Sequence, residues 1–158
     1  MKIFNALIEA GAVPCGLASR DTLRLEAGMP LYGHELNLEV NPYEAGFGKV
    51  VRLDRDDFIG RSALLDLSAR TPTRKLVGLV GEGKRAARAD YLLFADSEST
   101  VQIGIITSGA LSPTLGYPVA MGYLETELSD IGNTVSVDIR GTRLLMTIVK
   151  LPFYKRSK

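Results

Sequence analysis

Val135-Ser136-Val137-Asp138-Ile139-Arg140-Gly141-Thr142 decides how the second half of this chain folds. From Val135 onward every second side chain is apolar, the pattern of a strand with one face on a core and one in water. Gly141-Thr142 then makes a hairpin turn, and a second apolar stretch, Arg143 to Lys150, returns from it. Upstream, runs of strand length recur between Gly, Pro, Asn and Asp punctuation: Lys75 to Val80, Tyr91 to Ala95, Val101 to Thr107 and Val119 to Glu125. With Thr134 to Arg140 and Arg143 to Lys150 these make six strands, at spacings typical of a sandwich or barrel. Between strands, Thr107 to Gly116 reads as a polar loop whose hydroxyls cap turns.

Before Thr71-Pro72 the pattern is helical. Ile3, Phe4, Leu7 and Ile8 share one helical face, and Gly11 supplies the stop. Ser19 is placed to cap a second helix, Arg20 to Ala27, which Gly28 ends and Pro30 keeps from continuing. Leu31 to Asn41 is irregular, Asn41-Pro42 favours a turn, Phe47 to Leu53 reads as a strand, and Arg61 to Arg70 as a third helix. Three helices and a strand or two cannot cover both sides of a sheet. The apolar face of the opening helix therefore needs the second unit, a partner chain or a further N-terminal region to cover it, and the last is favoured.

Composition excludes several functions. Nineteen basic and eighteen acidic residues, scattered through 158, leave a net charge of +1 and no stripe for nucleic acid. No apolar run approaches the ~20 residues of a membrane-spanning helix, and no leader pattern opens the chain, which makes the cytoplasm the default. Cys15 and His34 are the only residues of their kinds. They form neither a disulfide nor a zinc site of usual spacing, and Cys15, beside Pro14 and Gly16, reads as a buried, inert thiol.

The residues that can carry chemistry are Arg20 and Arg24, one helical turn apart on one face, a repulsive pair unless an anion is near. Asp21 and Glu26 supply part of that anion if the face is solvated. Otherwise one arginine points into a cleft and takes a ligand carboxylate or amide edge, which planar guanidinium suits. Gly33 and Gly46-Phe47-Gly48 lack the spacing of a dinucleotide fingerprint or phosphate loop.

Cys15-Gly16-Leu17-Ala18-Ser19-Arg20-Asp21-Thr22-Leu23-Arg24-Leu25-Glu26-Ala27-Gly28-Met29-Pro30-Leu31-Tyr32-Gly33-His34-Glu35-Leu36 closely resembles a stretch of the T-protein aminomethyltransferases of the glycine cleavage system. The likeness continues through Asn41-Pro42 to Gly48, Asp57-Phe58-Ile59-Gly60-Arg61, Gly83-Lys84-Arg85, Thr107-Ser108-Gly109, Ser112 to Gly116 and Pro152-Phe153-Tyr154. The resemblance implies an α+β fold: residues 1–70 as the C-terminal part of a folate-binding α/β region, then residues 71–158 as a six-stranded antiparallel β-barrel. It implies a transferase of glycine catabolism that passes an aminomethyl group from lipoyl H-protein to tetrahydrofolate, releasing ammonia and methylenetetrahydrofolate. Arg20 falls on the family arginine that contacts substrate or folate, although Ala18-Ser19 stand where Gly-Ala is usual. Lys49 replaces a common tryptophan and Asp90 a common glycine. The family's catalytic aspartate and pterin-contacting glutamate lie upstream of a point equivalent to Met1, so no catalytic residue and no metal ligand is assigned here. The chain is thus expected to be a truncated, inactive portion that binds tetrahydrofolate weakly or not at all. It is expected to self-associate or to meet a polypeptide carrying the N-terminal half. A non-catalytic assembly module completing a split folate enzyme, or a folate-domain fragment like those of dimethylglycine and sarcosine dehydrogenases, are the alternatives.

Overall fold

Six antiparallel strands close on themselves in the order β1-β4-β3-β2-β5-β6. They are β1 (Arg74–Gly81), β2 (Leu92–Phe94), β3 (Gln102–Leu111), β4 (Pro118–Glu125), β5 (Thr134–Ile139) and β6 (Thr142–Val149). The computed structural model describes residues 1–55 and 57–156; Asp56 and the last two residues of the expected second unit, Ser157 and Lys158, lie outside the described residues.

All six expected strands are present, with ends that differ by a few residues. The deciding hairpin pairs Asp138 with Arg143 and Ile139 with Thr142. Arg140 (φ 54°) and Gly141 (φ 81°) form its two-residue loop, both left-handed as a type I′ turn requires. Closure comes where β1 meets β6, from Gly78 opposite Val149 to Gly81 opposite Met146, so the sheet has no free edge. The alternation in β5 sends Val135, Val137 and Ile139 inward, where they pack with Val77, Leu79, Leu93, Ile106, Leu124 and Ile148.

Strand β4 is buried from Pro118 to Leu124. One of its faces belongs to the barrel core. The other, Val119 and Met121, packs outside the barrel with Leu25, Leu151 and Phe153. A strand covered on both faces must be apolar throughout, as this one nearly is. Gly78 permits the tail to lie close, since a Cβ there would stand 2.7 Å from Leu151 Cδ2.

Three α-helices precede the barrel: α1 (Lys2–Glu9), α2 (Leu17–Glu26) and α3 (Arg61–Ser68). Gly11 and Gly28 stop α1 and α2 as expected, each at positive φ. In α2 the Gly28 amide bonds Leu25 O (2.8 Å) and the Met29 amide bonds Arg24 O (2.8 Å), a Schellman ending. Helix α1 buries no residue, and Ile3 is 80% exposed.

Four local expectations are corrected. Phe47 to Leu53 is no strand. The Phe47 amide turns back to Pro42 O (2.7 Å), Gly48–Val50 is a single 3-10 turn, and a closed barrel offers no edge to pair with. Ser19 lies inside α2, which Gly16 begins; its hydroxyl donates back to Gly16 O (2.6 Å). Thr107 to Leu111 continues β3 rather than opening a loop, because a register shift between Ile106 and Ser108 lets the pairing with β4 resume. The third helix stops at Ser68, before Arg70, as the chain approaches Pro72.

Candidate functional site

Helix α2 rests on β3, β4 and the loop that joins them, and its last turn is held by polar groups. Its buried residues are Arg24, Leu25 and Glu26, so a single apolar side chain enters the core between two charged ones. Arg24 donates from Nη1 to Glu35 Oε2 (2.7 Å) and from Nη2 to Ser108 Oγ (2.8 Å), and Nε and Nη2 both reach Asp21 Oδ1 (2.8 and 2.6 Å). Glu35, wholly buried, also accepts from the Leu31 amide (2.9 Å) and the Thr107 hydroxyl (2.7 Å), while Tyr123 donates to its carbonyl (2.8 Å). A buried charge survives only when paired and hydrogen-bonded in this way.

Glu26 makes the second anchor. Its carboxylate accepts from the Ser112 hydroxyl, the Thr114 amide (3.1 Å) and the Thr114 hydroxyl (2.8 Å), and its carbonyl takes the Tyr154 amide (2.9 Å). Burial alone pushes a carboxyl up. Here the Ser112 and Thr114 bonds together outweigh it, and Glu26 sits below its ordinary value. Glu26 therefore does not serve the arginine pair as expected; Asp21 does, and Glu35 does far more.

Arg20 is exposed and, among the described residues, makes no ion pair. It lies on an open cavity of about 710 Å³ whose other walls include Cys15, Leu17, Leu23, Ala27 and Met29. Among the described residues no carboxylate lines that cavity. Arg24 also borders this cavity, but the two arginines differ in their partners: Arg24 is bonded to Asp21, Glu35 and Ser108, and Arg20 has no hydrogen-bond partner among the described residues. Cys15 is exposed rather than buried, with its thiol 3.6 Å from Val13 O, because the chain ahead of α2 is covered by nothing among the described residues.

His34 lies apart, its Nδ1 3.1 Å from Thr107 O. A carbonyl only accepts, so Nδ1 carries a proton in this contact. It lines a smaller polar cavity of about 330 Å³ with Asp90, Arg74 and Tyr123. Arg74 lies over the Tyr123 ring at 5.1 Å. Burial is the main reason the Tyr123 hydroxyl is pushed up to about 12; Arg74 opposes it, and Glu44 and Glu35 add to it. No described helix is long and apolar enough to cross a membrane.

Sequence reasoning missed Glu35 and Glu26 as anchors. Glu35 lies in an irregular stretch without periodicity, and its partners Thr107 and Tyr123 are more than seventy positions away in the chain. The one available signal was hydroxyl density in β3 and the following loop.

Comparison with known proteins gives these elements a family. The model of the glycine cleavage T-protein C-terminal barrel domain matches residues 74–155, and that of the GCVT N-terminal domain matches residues 1–55. The aminomethyltransferase of Cutibacterium acnes is 52% identical over 98% of this chain and 42% of its own length, and that of Streptomyces avermitilis is 51% identical over 99% and 44%. The crystal structure of glycine cleavage system aminomethyltransferase T from Bartonella henselae superposes with a TM-score of 0.82 at 35% identity, over 88% of this chain and 39% of that one. The chain spans about two fifths of the length of these relatives. With both family models matched along it and the barrel shared, the chain belongs to the glycine cleavage T-protein family of aminomethyltransferases.

Proposed function

We propose that this chain supplies one wall of a tetrahydrofolate-dependent aminomethyltransferase site, and that by itself it is an inactive part of that enzyme. The observation that carries the reading is Arg20, an unpaired guanidinium on a largely apolar open cavity. A flat apolar ring system with a carboxylate or amide edge fits such a wall: the ring lies on Leu17, Leu23 and Met29, and the edge takes the planar fork. Tetrahydrofolate, when bound, supplies the amine that receives the one-carbon unit. What this chain contributes in this reading is binding and orientation through Arg20 and the apolar wall. The donor of the aminomethyl group in this reading is lipoyl H-protein, and the products are ammonia and methylenetetrahydrofolate. In the same reading, residues 1–70 belong with the folate-binding region and 71–158 form the family's barrel unit.

The bare apolar face of α1 favours a second reading, in which the chain is an assembly module that completes a split folate enzyme by docking on another polypeptide. The remaining alternative is a folate-domain fragment like those of dimethylglycine and sarcosine dehydrogenases, which would act on a different substrate.

Titration calorimetry with tetrahydrofolate tests the main reading. The isolated chain is expected to bind no tighter than the millimolar range and to show no turnover with aminomethylated H-protein. Mixing it with a polypeptide carrying the part of the family fold that this chain does not match is expected to restore turnover, with Arg20→Gln blocking the restoration. Micromolar binding by the chain alone contradicts an open, one-walled site. Restored turnover that is indifferent to Arg20→Gln contradicts the role of Arg20, and turnover only with a demethylation substrate moves the chain to the dehydrogenase-like reading.

A further inference from the structure

We propose that Glu35 is the positioning residue for Arg20, so that a carboxylate outside the cavity lining decides where the cavity's unpaired charge stands. This rests on the reading that Arg20 faces a ligand.

The argument starts from how little apolar contact holds α2. Its one buried apolar residue is Leu25, and the rest of its seat is polar. Apolar contacts are non-directional and allow a helix to slide or roll, whereas charge-assisted hydrogen bonds fix distance and angle. The orientation of α2 is therefore written in the hydrogen bonds of Arg24 and Glu26; Glu26 pins the last residue of the helix, and Arg24, one turn from Arg20, takes its orientation from Glu35. Of the groups that hold Arg24, Asp21 is on the same helix and about half exposed, so it cannot register the helix against anything else. Ser108 is a single neutral acceptor. Glu35 is the charged partner from outside the helix, and it is itself clamped by the Thr107 hydroxyl of β3 and the Leu31 amide. The chain of contact runs from β3 through Glu35 to Arg24, and one helical turn back along α2 stands Arg20.

Cys15 gives a probe on the intact chain, because its exposed thiol lines the same cavity as Arg20. The rate of its exchange with a dianionic aromatic disulfide, divided by the rate with a neutral dipyridyl disulfide, reports the local positive charge and cancels changes in thiol ionisation. Arg20→Gln is expected to lower this ratio about five-fold at low salt. Glu35→Gln removes a negative charge, so through the field alone it raises the ratio. If Glu35 positions Arg20, the ratio instead falls at least about two-fold, because the guanidinium is no longer held over the cavity. Ile148→Val, a loosening of the barrel core away from the network, serves as the stability control and is expected to leave the ratio unchanged. A ratio that rises or stays constant in Glu35→Gln overturns the proposal while leaving the folate reading intact, as does an Ile148→Val variant that lowers the ratio equally. A ratio that Arg20→Gln does not move overturns both, since Arg20 then does not charge the cavity.

Discussion

Replacing Arg24 by Met tests the energetic logic of the α2 seat. The substitution keeps most of the side chain's volume and removes its charge, leaving the wholly buried Glu35 carboxylate with the Leu31 amide and the Thr107 hydroxyl as its only donors. Breaking a buried pair from one side costs about 3–5 kcal/mol, against a total stability of about 5–15 kcal/mol for a domain. The exposed Asp21 contact adds less than ~1 kcal/mol. For a chain of this size the thermal midpoint is then expected to fall by about 10 °C. The double variant Arg24→Met, Glu35→Leu removes both charges. Thr107 keeps a partner, because its hydroxyl also reaches Met121 O (3.0 Å); the Leu31 amide is orphaned, at about 1–3 kcal/mol, and the buried Ser108 hydroxyl loses Arg24 in the single and the double variant alike. The double variant is therefore expected to recover roughly half of what the single one loses. Urea titrations of the wild type, both single variants and the double variant supply the cycle. A loss below ~1 kcal/mol in Arg24→Met, or a double variant no better than the single, refutes the claim that an uncompensated buried carboxylate dominates.

Three further outcomes are expected. Glu26 is held below its ordinary value of 4.5, so its bonds to Ser112 and Thr114 contribute stability that is complete above that pH and lost as pH falls through its folded value. Urea midpoints for wild type and Glu26→Gln should accordingly differ most near neutrality and draw together as pH falls below 4.5. Arg140→Asn should raise stability by about 0.5–1 kcal/mol in thermal unfolding, because Asn-Gly suits the two left-handed positions of the hairpin turn that Arg140 occupies at φ 54°. In a spectrophotometric titration one of the six tyrosines should ionise last, at about 12, and Tyr123→Phe should remove that step. The stability that Tyr123 contributes in its neutral form is present below the ordinary tyrosine value and is lost as pH rises from about 10 toward 12.

How far the sequence could be read depended on the range of the forces involved. Barrel strands carry their signal locally: the alternation of Val135, Val137 and Ile139 is set by a two-residue period, and Gly141 marks the turn within the same ten residues. Glycine stops at Gly11 and Gly28 are equally local. Phe47 to Leu53 failed because β-propensity without an available edge commits to nothing. Thr107 to Leu111 failed in the other direction, since small polar residues that read as loop are held in a strand by its neighbours and by a bulge. Cys15 was misjudged because an apolar neighbourhood in sequence is not a covered one in space. The site was least legible of all. Telling the partners of Arg20 from those of Arg24 required knowing where Glu35 goes, and that is settled by Thr107 and Tyr123 from the far half of the chain.

The free charge on Arg20 follows from what its neighbours are doing. A guanidinium on a helix surface normally finds a carboxylate within a turn, and three acids stand near enough in sequence to supply one. Asp21 is spent on Arg24 through two short bonds from one oxygen. Glu26, at the other end of α2, is drawn to the opposite side by Ser112 and Thr114. Glu35 is buried and divided between Arg24 and Thr107. The commitments of Glu26 and Glu35 strengthen the attachment of α2 to the barrel, that of Asp21 stays within the helix, and each of the three withdraws a competitor from the cavity. The polar seat and the unpaired arginine are thus one design. A helix docked by leucines alone would leave its acids loose to neutralise Arg20, and a ligand carboxylate would then have to displace a salt bridge before it could form one.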